Sequence, residues 1–295
     1  MASMRDIKRR KGSIQSTQQI TKAMKLVSTV KLQRAKSNAE KSKTYFHAMY
    51  ETVHSILKKT QNLEHRYLKS GETGKKAIIV ITSNRGLAGG YNSNVVKLIT
   101  QGELANEDLA IYAIGKKGRE ALAKKYEIVA DYSDAIEEPV YAEAMKISER
   151  VLNDFEEGKI SEIYLAYTGF KNTVSHIPTL LKLLPVSMSE VEEEENETEG
   201  AGGDENVSDN VLMNFEPAEE EALDLLIPKY VTSLIYGGMI EAVASENGAR
   251  MQAMDSATSN AEEMIENLTL MYNRARQGSI TQELTEIIAG ANAIS

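Results

Sequence analysis

The chain has 295 residues, of which 42% are hydrophobic and 26% charged, and its formal net charge is −9. It contains no cysteine, which excludes disulfides, thiolate metal sites and a cysteine nucleophile. Because its first residues lack the apolar core of a signal peptide and no run of about 18 apolar residues occurs, we expect neither a secreted nor a membrane-spanning protein.

The first predicted element is a long basic helix. Glycine is absent from Ser13 to Ser70, and the first proline is Pro139, so a helix is possible from about Arg5 to about Leu57. At 1.5 Å per residue, such a helix would reach on the order of 80 Å. Residues 1–45 carry twelve Lys or Arg and only two acids. These cations could contact nucleic acid or an acidic protein surface, and their distribution around the whole helix does not favour nucleic acid.

A line of residues at alternating steps of three and four runs along this helix and predicts one side of a coiled coil. The line consists of Met4, Ile7, Lys11, Ile14, Gln18, Thr21, Lys25, Ser28, Leu32, Ala35, Ala39, Ser42, Phe46, Met49, Val53 and Ile56. It is polar from Gln18 to Ser28, where Ile20, Met24 and Val27 lie beside it and can face another partner. An ordinary broad amphipathic face is the alternative for that stretch.

Residues 76–185 change to short apolar runs separated by glycine. The predicted strands are Ala77–Thr82, Leu109–Gly115 and Ile160–Phe170, and the predicted helices lie around Ser93–Ile99, Lys117–Lys125 and Tyr141–Phe155. Alternation of strands and helices predicts a small, mainly parallel sheet in a Rossmann-like α/β domain. The glycine-rich loop Ser83–Asn92 fits neither G-x-x-x-x-G-K-[ST] nor G-x-G-x-x-G, so we predict a structural turn, with ligand binding as the alternative.

An acidic segment follows the α/β domain. Fifteen acids and no base occur between Glu190 and Asp224. Repulsion between like charges predicts a solvated, mobile insertion at residues 188–212. We expect four segments in all: an N-terminal coiled-coil helix (1–70), the α/β domain (71–187), this insertion (188–212) and a C-terminal coiled-coil helix (213–295).

The last predicted element is a second long helix, from about Ala218 to Ala289. Its own heptad line is Leu223, Leu226, Tyr230, Ser233, Gly237, Ile240, Ala244, Asn247, Met251, Met254, Thr258, Ala261, Ile265, Leu268, Tyr272 and Ala275, of which twelve are apolar. This pattern predicts a left-handed coiled coil with the first helix. The two helices are antiparallel if both leave the α/β domain from the same side.

Signals for catalysis are weak throughout the chain. The four histidines have no metal-ligand spacing, and no serine lies in a G-x-S-x-G turn. We therefore predict no cofactor, no metal and no catalytic residue. Three classes of function remain from the residues alone: a nucleotide-using enzyme built on the α/β domain, a coiled-coil scaffold, and a nucleic-acid-binding protein that uses the basic helix.

Three motifs, in order along the chain, resemble those of the gamma subunits of rotary ATP synthases. They are Thr17–Ser28, Ser83–Asn92 and the C-terminal stretches Met254–Ala261, Leu268–Gln277 and Ile280–Ala291. The resemblance implies a non-catalytic rotor of the bacterial type. Such a rotor turns inside a hexamer of alpha and beta subunits, stands on the c-ring beside epsilon, couples ion flow to ATP synthesis or hydrolysis, and regulates ATPase activity.

The resemblance also implies roles for single residues. The residues that would contact the beta subunits are Met24, Arg276, Gln277, Thr281 and Glu283. Phe215 and Glu216 would form the foot near the c-ring and epsilon. The tip that lies in an apolar bearing would consist of Ile287, Ile288 and Ile294. The implied location is the cytoplasmic face of the bacterial plasma membrane, without insertion into it and without nucleic acid. Lys11 and the long acidic insertion depart from the family pattern.

Overall fold

The computed structural model describes residues 4–59, 65–71, 74–105, 107–173, 175–186 and 219–294. The described helices are α1 (Met4–Lys59), α2 (Tyr91–Gln101), α3 (Lys116–Leu122), α4 (Tyr141–Glu156) and α5 (Glu219–Ile294). The described strands are β1 (Lys75–Ile81), β2 (Leu109–Ile114), β3 (Glu127–Asp131), β4 (Ile160–Phe170) and β5 (His176–Leu184), with a 3-10 turn at Ser133–Ile136.

By packing, the chain divides into two compact units. The helical unit comprises Met1–Val30 and Arg250–Ser295, and the sheet unit comprises Lys31–Ala249. The predicted four-segment division of the chain stays a prediction. The predicted insertion 188–212 and the predicted foot residues Phe215 and Glu216 lie outside the described residues.

In the helical unit, α1 and α5 run antiparallel. Residue numbers rise along α1 while those of the contacting residues fall along α5: Gln18 Nε2 donates to Glu262 Oε1 (3.0 Å), the Thr21 and Thr258 hydroxyls are 2.8 Å apart, and Lys25 Nζ lies 2.5 Å from Asp255 Oδ1. The polar part of the α1 line is therefore matched by polar partners on α5.

The two heptad lines are confirmed as the buried faces of the long helices. All sixteen predicted positions on α1 and all sixteen on α5 are buried or half-buried. Ile20 and Val27, beside the α1 line, are exposed, and Met24 is half-buried. Heptad spacing thus identified the buried faces of both helices, including the stretch of α1 in which the residues at these positions are polar.

The predicted mainly parallel sheet is also confirmed. Its strand order is β3-β2-β1-β4-β5; four strands are parallel, and β5 pairs antiparallel with β4. Alternate residues of β1 face opposite layers. Ile79 and Ile81 pack with α4 and the long helices, whereas Ile78 and Val80 pack with α2 and α3. Apolar side chains on both faces explain why the central strands read as continuous apolar runs.

A buried carboxylate joins α4 to strand β2. Asp154 Oδ2 accepts hydrogen bonds from the Tyr112 hydroxyl (2.7 Å) and Arg150 Nε (2.9 Å), and Lys159 Nζ lies 3.3 Å from Oδ1. Burial would raise the pKa of Asp154, but the hydrogen bonds from Tyr112 and Lys159 and the charge of Arg150 outweigh it and lower the pKa. The ionised carboxylate is therefore the form that the fold favours.

We predict that Asp154→Leu lowers the free energy of unfolding by about 2 kcal/mol, because it leaves the buried Tyr112 hydroxyl without an acceptor. Tyr112→Phe alone should cost about 1 kcal/mol. The double variant should lose less than the sum of the two, since neither partner then remains unpaired. Urea unfolding measures all three variants, and strictly additive losses would show that the two groups are not coupled.

The β4–β5 hairpin packs on α5 inside the sheet unit. The rings of Phe170 and His176 lie 6.0 Å apart, and a Cβ added to Gly248 of α5 would lie 2.7 Å from His176 Cε1. Glycine at this position therefore allows the close approach of the imidazole. Burial lowers the pKa of His176; the Thr173 backbone opposes this in part, although neither ring nitrogen has a hydrogen bond of normal geometry among the described residues.

This burial predicts a pH dependence of stability. Because the pKa of His176 is lower in the folded state than the unfolded value of 6.5, the unfolded chain binds more protons as pH falls below about 6.5. The free energy of unfolding therefore keeps the full contribution of His176 above that pH and loses it below, by at most about 1.4 kcal/mol per pH unit. Urea unfolding at pH 7.5 and 5.0 should show a smaller loss in His176→Gln than in the unchanged chain, and equal losses would contradict the assignment.

Candidate functional site

The C-terminal part of α5 extends beyond its coiled-coil partner. The last position of its heptad line is Ala275, which is half-buried, and every residue from Arg276 to Asn292 is exposed. Because the described part of α1 begins at Met4, it does not extend alongside α5 beyond this point. Within the described residues, nothing covers either side of this final stretch.

One face of this final stretch is apolar. Ile280, Leu284, Ile287 and Ile288 are 49–63% exposed, and their spacing of four, three and one places them on one side of the helix. We call these four residues the C-terminal stripe. Four large aliphatic side chains on one exposed helix face are typical of a surface that another protein covers. Ile287 and Ile288 belong to the predicted bearing tip; the side chain of Ile294 lies outside the described residues.

The predicted beta-contact residues occupy two separate places in the helical unit. Arg276, Gln277, Thr281 and Glu283 are together on the exposed end of α5, where the Thr281 hydroxyl donates to the Gln277 carbonyl (2.9 Å). Met24 lies next to Lys25, which pairs with Asp255, twenty-one residues before Arg276. At 1.5 Å per residue this separates the two places by about 32 Å.

The charges on the end of α5 are available to another chain. Among the described residues, neither Arg276 nor Glu283 has an ion-pair partner within 4.0 Å. Near Met24, the exposed side of α1 carries Ile20 and Val27, as well as Leu26 and Val30, which the sequence pattern did not single out. These four side chains are 51–63% exposed. Their exposure could have been read from their positions outside the heptad line.

The glycine-rich loop Ser83–Asn92 uses most of its polar groups internally. Ser83 N donates to Asn92 Oδ1 (2.9 Å), Asn84 Nδ2 donates to the Ser133 carbonyl (2.8 Å), and Lys116 N donates to Asn84 Oδ1 (3.0 Å). These bonds tie the ends of β1 and β2 together, as a structural turn requires. The outward tip is Leu87, which is exposed and has a φ of 63°.

The side chains and helices of the described residues also bear on two other classes of function. No group of three or more His, Asp or Glu side chains there is arranged to hold a metal ion. None of the helices in those same ranges is long and apolar enough to cross a membrane.

Comparison with known proteins gives a consistent result. The family model described as ATP synthase matches residues 3–294. The chain is 63% identical over 296 residues to the ATP synthase gamma chain of Lachnoclostridium phytofermentans, covering 100% of both chains. It is 41% identical over 302 residues to the sodium-ion-specific ATP synthase gamma chain of Acetobacterium woodii, covering 99% of both.

Two solved structures have a similar fold. The chain matches one in the Euglena gracilis mitochondrial ATP synthase with a TM-score of 0.66 and 18% identity, over 99% of this chain and 94% of that one. It matches one in the central stalk and c-ring of the Tetrahymena thermophila enzyme with a TM-score of 0.57 and 24% identity, over 81% and 99%. Together with the match over almost the whole sequence, these findings show that the chain belongs to the ATP synthase gamma chain family.

Proposed function

We propose that this chain is the central-stalk rotor of a bacterial ATP synthase. The observation that carries the proposal is the final stretch of α5, which leaves the coiled coil with an exposed apolar stripe and charges that lack partners in the described chain. A helix of this kind needs a surrounding surface supplied by other subunits. Relatives from bacteria that carry the gamma-chain name along their whole length support the same assignment.

The partners proposed for the two exposed places in the helical unit rest on the motif resemblance. Met24, with Ile20 and Val27 beside it, and the group Arg276, Gln277, Thr281 and Glu283 contact the moving parts of the beta subunits. The C-terminal stripe and Ile294 lie in an apolar bearing formed by the alpha–beta hexamer. Phe215 and Glu216 contact the c-ring and epsilon, an assignment that rests on the sequence motif alone.

The coupling mechanism is a change in population of beta-subunit conformations. Because α1 and α5 carry different side chains, the coiled coil presents a different face to each beta subunit. A face that contacts one conformation better than another shifts that subunit towards it. Rotation driven at the c-ring changes nucleotide affinities in turn, and hydrolysis drives the coil in the opposite direction, since the coupling between sites is reciprocal.

In this account the chain itself is not catalytic and holds no cofactor. Its residues act by contact, and ATP is made or hydrolysed on the beta subunits. The complex lies on the cytoplasmic face of the bacterial plasma membrane, where the chain is peripheral. By setting which beta conformation is favoured, the chain also regulates the rate of ATP hydrolysis.

Reconstitution tests the proposal. The purified full chain is mixed with alpha and beta subunits of its own organism, and complex formation and ATP hydrolysis are measured. We expect one copy of the chain to enter each alpha–beta hexamer and sustained hydrolysis to depend on it. Hydrolysis by the chain alone, or failure to enter the complex, would contradict the proposal. A chain with Lys124→Gln, a change on the α/β domain surface, is the control and should behave as the unchanged chain does.

A further inference from the structure

The hairpin of β4 and β5 extends beyond the rest of the sheet. The residue pairs between β1 and β4 end at Ala166, whereas those between β4 and β5 continue to Phe170 and His176. We call this extension, which consists of Tyr167–Phe170 and His176–Thr179, the hairpin arm. A two-stranded hairpin is only marginally stable by itself, so the arm depends on the elements against which it packs.

The hairpin arm buries little of its own surface. Of its eight residues only Thr168 is buried, and Ile177 is 47% exposed. In β1, by contrast, every residue from Ala77 to Ile81 is buried. Segments with few buried apolar contacts open locally at a lower free energy than the core of a protein does. The arm should therefore open before the sheet unfolds.

The side of α5 that faces the arm carries small residues and one acid. Four residues at steps of three, four and three share this side of the helix: Gly238, Glu241, Ser245 and Gly248. A Cβ added to Gly238 would lie 3.6 Å from Tyr167 Cγ, and one added to Gly248 would lie 3.7 Å from Phe170 Cε2. Glu241 Oε2 accepts a hydrogen bond from Phe170 N (3.4 Å). This side of α5 therefore lies directly against the arm.

The closest of these contacts joins His176 of the arm to Gly248. A Cβ on Gly248 would lie 2.7 Å from His176 Cε1 and 3.1 Å from Nε2. Real side chains do not come within the first of these distances. The imidazole therefore fills the space that a side chain at position 248 would occupy.

The arm also contacts α1. Lys36 Nζ lies 4.9 Å from the centroid of the Phe170 ring, within the range of a cation–π interaction. Because Phe170 also lies against Gly248, one side chain of the arm contacts both long helices. Lys36 and Gly248 are within five residues of the limits of the sheet unit, which are Lys31 on α1 and Ala249 on α5. The arm thus bridges the two helices near the end of this unit.

We propose that the hairpin arm is a releasable clamp across α1 and α5, which opens locally while the sheet stays folded. The closed clamp is held by the fit of His176 at Gly248, the hydrogen bond to Glu241 and the cation–π contact with Lys36. None of these contacts belongs to the apolar core, so the clamp can open without loss of core packing. The clamp itself does not rest on the rotor role proposed above. In that rotor, the closed clamp holds both helices to the sheet unit.

Thiol labelling tests the local opening, since the chain has no native cysteine. Ser245→Cys places a single thiol on the side of α5 beneath the arm. Ser245 is 0% exposed, and its hydroxyl has no hydrogen-bond partner among the described residues. The matched control is Ser148→Cys. Ser148 is 1% exposed, and its hydroxyl likewise lacks a partner in the described ranges, but it is one of the buried residues of α4.

The labelling rate of each folded full chain with a maleimide is divided by the rate of the same chain in urea. We expect Ser245→Cys to be labelled at least about tenfold faster than Ser148→Cys, because local opening of the arm exposes its thiol. The control thiol becomes exposed only when the sheet unfolds. Equal rates for the two chains would overturn the proposal.

Filling the space at Gly248 tests which contact holds the clamp. In the Ser245→Cys chain, Gly248→Ala should raise the labelling rate at least about fivefold, because the added Cβ displaces the His176 imidazole. The control is Gly237→Ala in the same helix, where an added Cβ would lie at an ordinary 3.6 Å from Phe46 Cε2. It should not raise the rate, since both substitutions favour the helix. If Gly248→Ala left the rate unchanged, or both substitutions raised it equally, the arm would not be the clamp.

A second measurement addresses the role of the clamp in the complex. In membranes that hold the whole complex, Gly248→Ala should lower ATP-driven ion pumping at least about twofold relative to ATP hydrolysis, because a loosened clamp weakens the attachment of both helices to the sheet unit. Unchanged pumping would overturn this coupling role. A chain that opens locally as expected but never enters the complex would contradict the rotor role and leave the clamp standing.

Discussion

Replacing Gly115 by alanine should lower the free energy of unfolding of the chain by about 4 kcal/mol or more. Gly115 follows β2 with a φ of 109°, a conformation that side chains rarely adopt. A Cβ there would lie 2.0 Å from the carbonyl oxygen of Thr82 and 2.6 Å from its carbonyl carbon. Both atoms belong to the backbone at the end of β1, so the clash cannot be relieved by a rotamer change.

The matched control is Gly158→Ala. Gly158 also has a positive φ, of 72°, but an added Cβ would meet no atom within 4 Å. Gly158→Ala should therefore lower the free energy of unfolding by about 1 kcal/mol, which is the cost of the positive φ alone. Urea unfolding followed by circular dichroism measures both variants. If Gly115→Ala lost no more stability than Gly158→Ala, the close contact between the ends of β1 and β2 would be wrong.

Replacing the C-terminal stripe by glutamine should weaken binding of the chain to the alpha–beta hexamer by about 100-fold or more. Burying one large aliphatic side chain contributes about 1.5–3 kcal/mol, so loss of even part of the four-residue stripe exceeds the roughly 2.7 kcal/mol that a 100-fold change requires. Glutamine is a good helix former and uncharged, so the helix itself should persist. Titration of labelled chain into preformed hexamer measures the affinity.

The control for the stripe uses two other exposed apolar residues. Val140 and Met145, at α4 in the sheet unit, are 49% and 43% exposed. Replacing both by Gln removes exposed apolar surface without touching the proposed bearing, and affinity should stay within about twofold. Equal weakening by both sets of changes would mean that binding responds to general surface polarity, and the bearing assignment would fail.

Heptad spacing was the most informative signal in the sequence. All thirty-two predicted seam positions are buried or half-buried, because heptad spacing places them on one face of each helix. The predicted ends were less accurate. The last helix continues from the predicted Ala289 to Ile294, through Gly290, and it contains Pro228. The buried neighbours Ile227, Tyr230 and Val231 help to offset the roughly 3 kcal/mol that an internal proline costs.

Two strands could not be predicted from the sequence. The edge strand β3 (Glu127–Asp131) is short and has exposed residues at every second position, two of them acidic. The other edge strand, β5 (His176–Leu184), contains Pro178 and Lys182, which lower its apolar signal. Edge strands gain their stability from the neighbour with which they pair, and that pairing joins residues distant in sequence.

Only part of the candidate site could be predicted from the spacing of residues along the helices. The exposed state of Ile280, Leu284 and Ile287 agrees with the end of the heptad line at Ala275, beyond which the described part of α1 does not cover α5. Which subunit covers them does not follow from spacing. The assignment of Met24 and Arg276 to beta contacts came from the motif resemblance, since a side chain on an exposed helix does not specify its partner.

Direct observation of rotation is the measurement closest to the central claim. The alpha–beta hexamer is fixed to a surface, the chain carries Lys124→Cys as its single thiol, and a bead bound there is followed in the presence of ATP. The account predicts continuous rotation in one direction, in steps of one third of a turn, one for each beta subunit. A bead that stays fixed, or only fluctuates, while the same complexes hydrolyse ATP would contradict the rotor role.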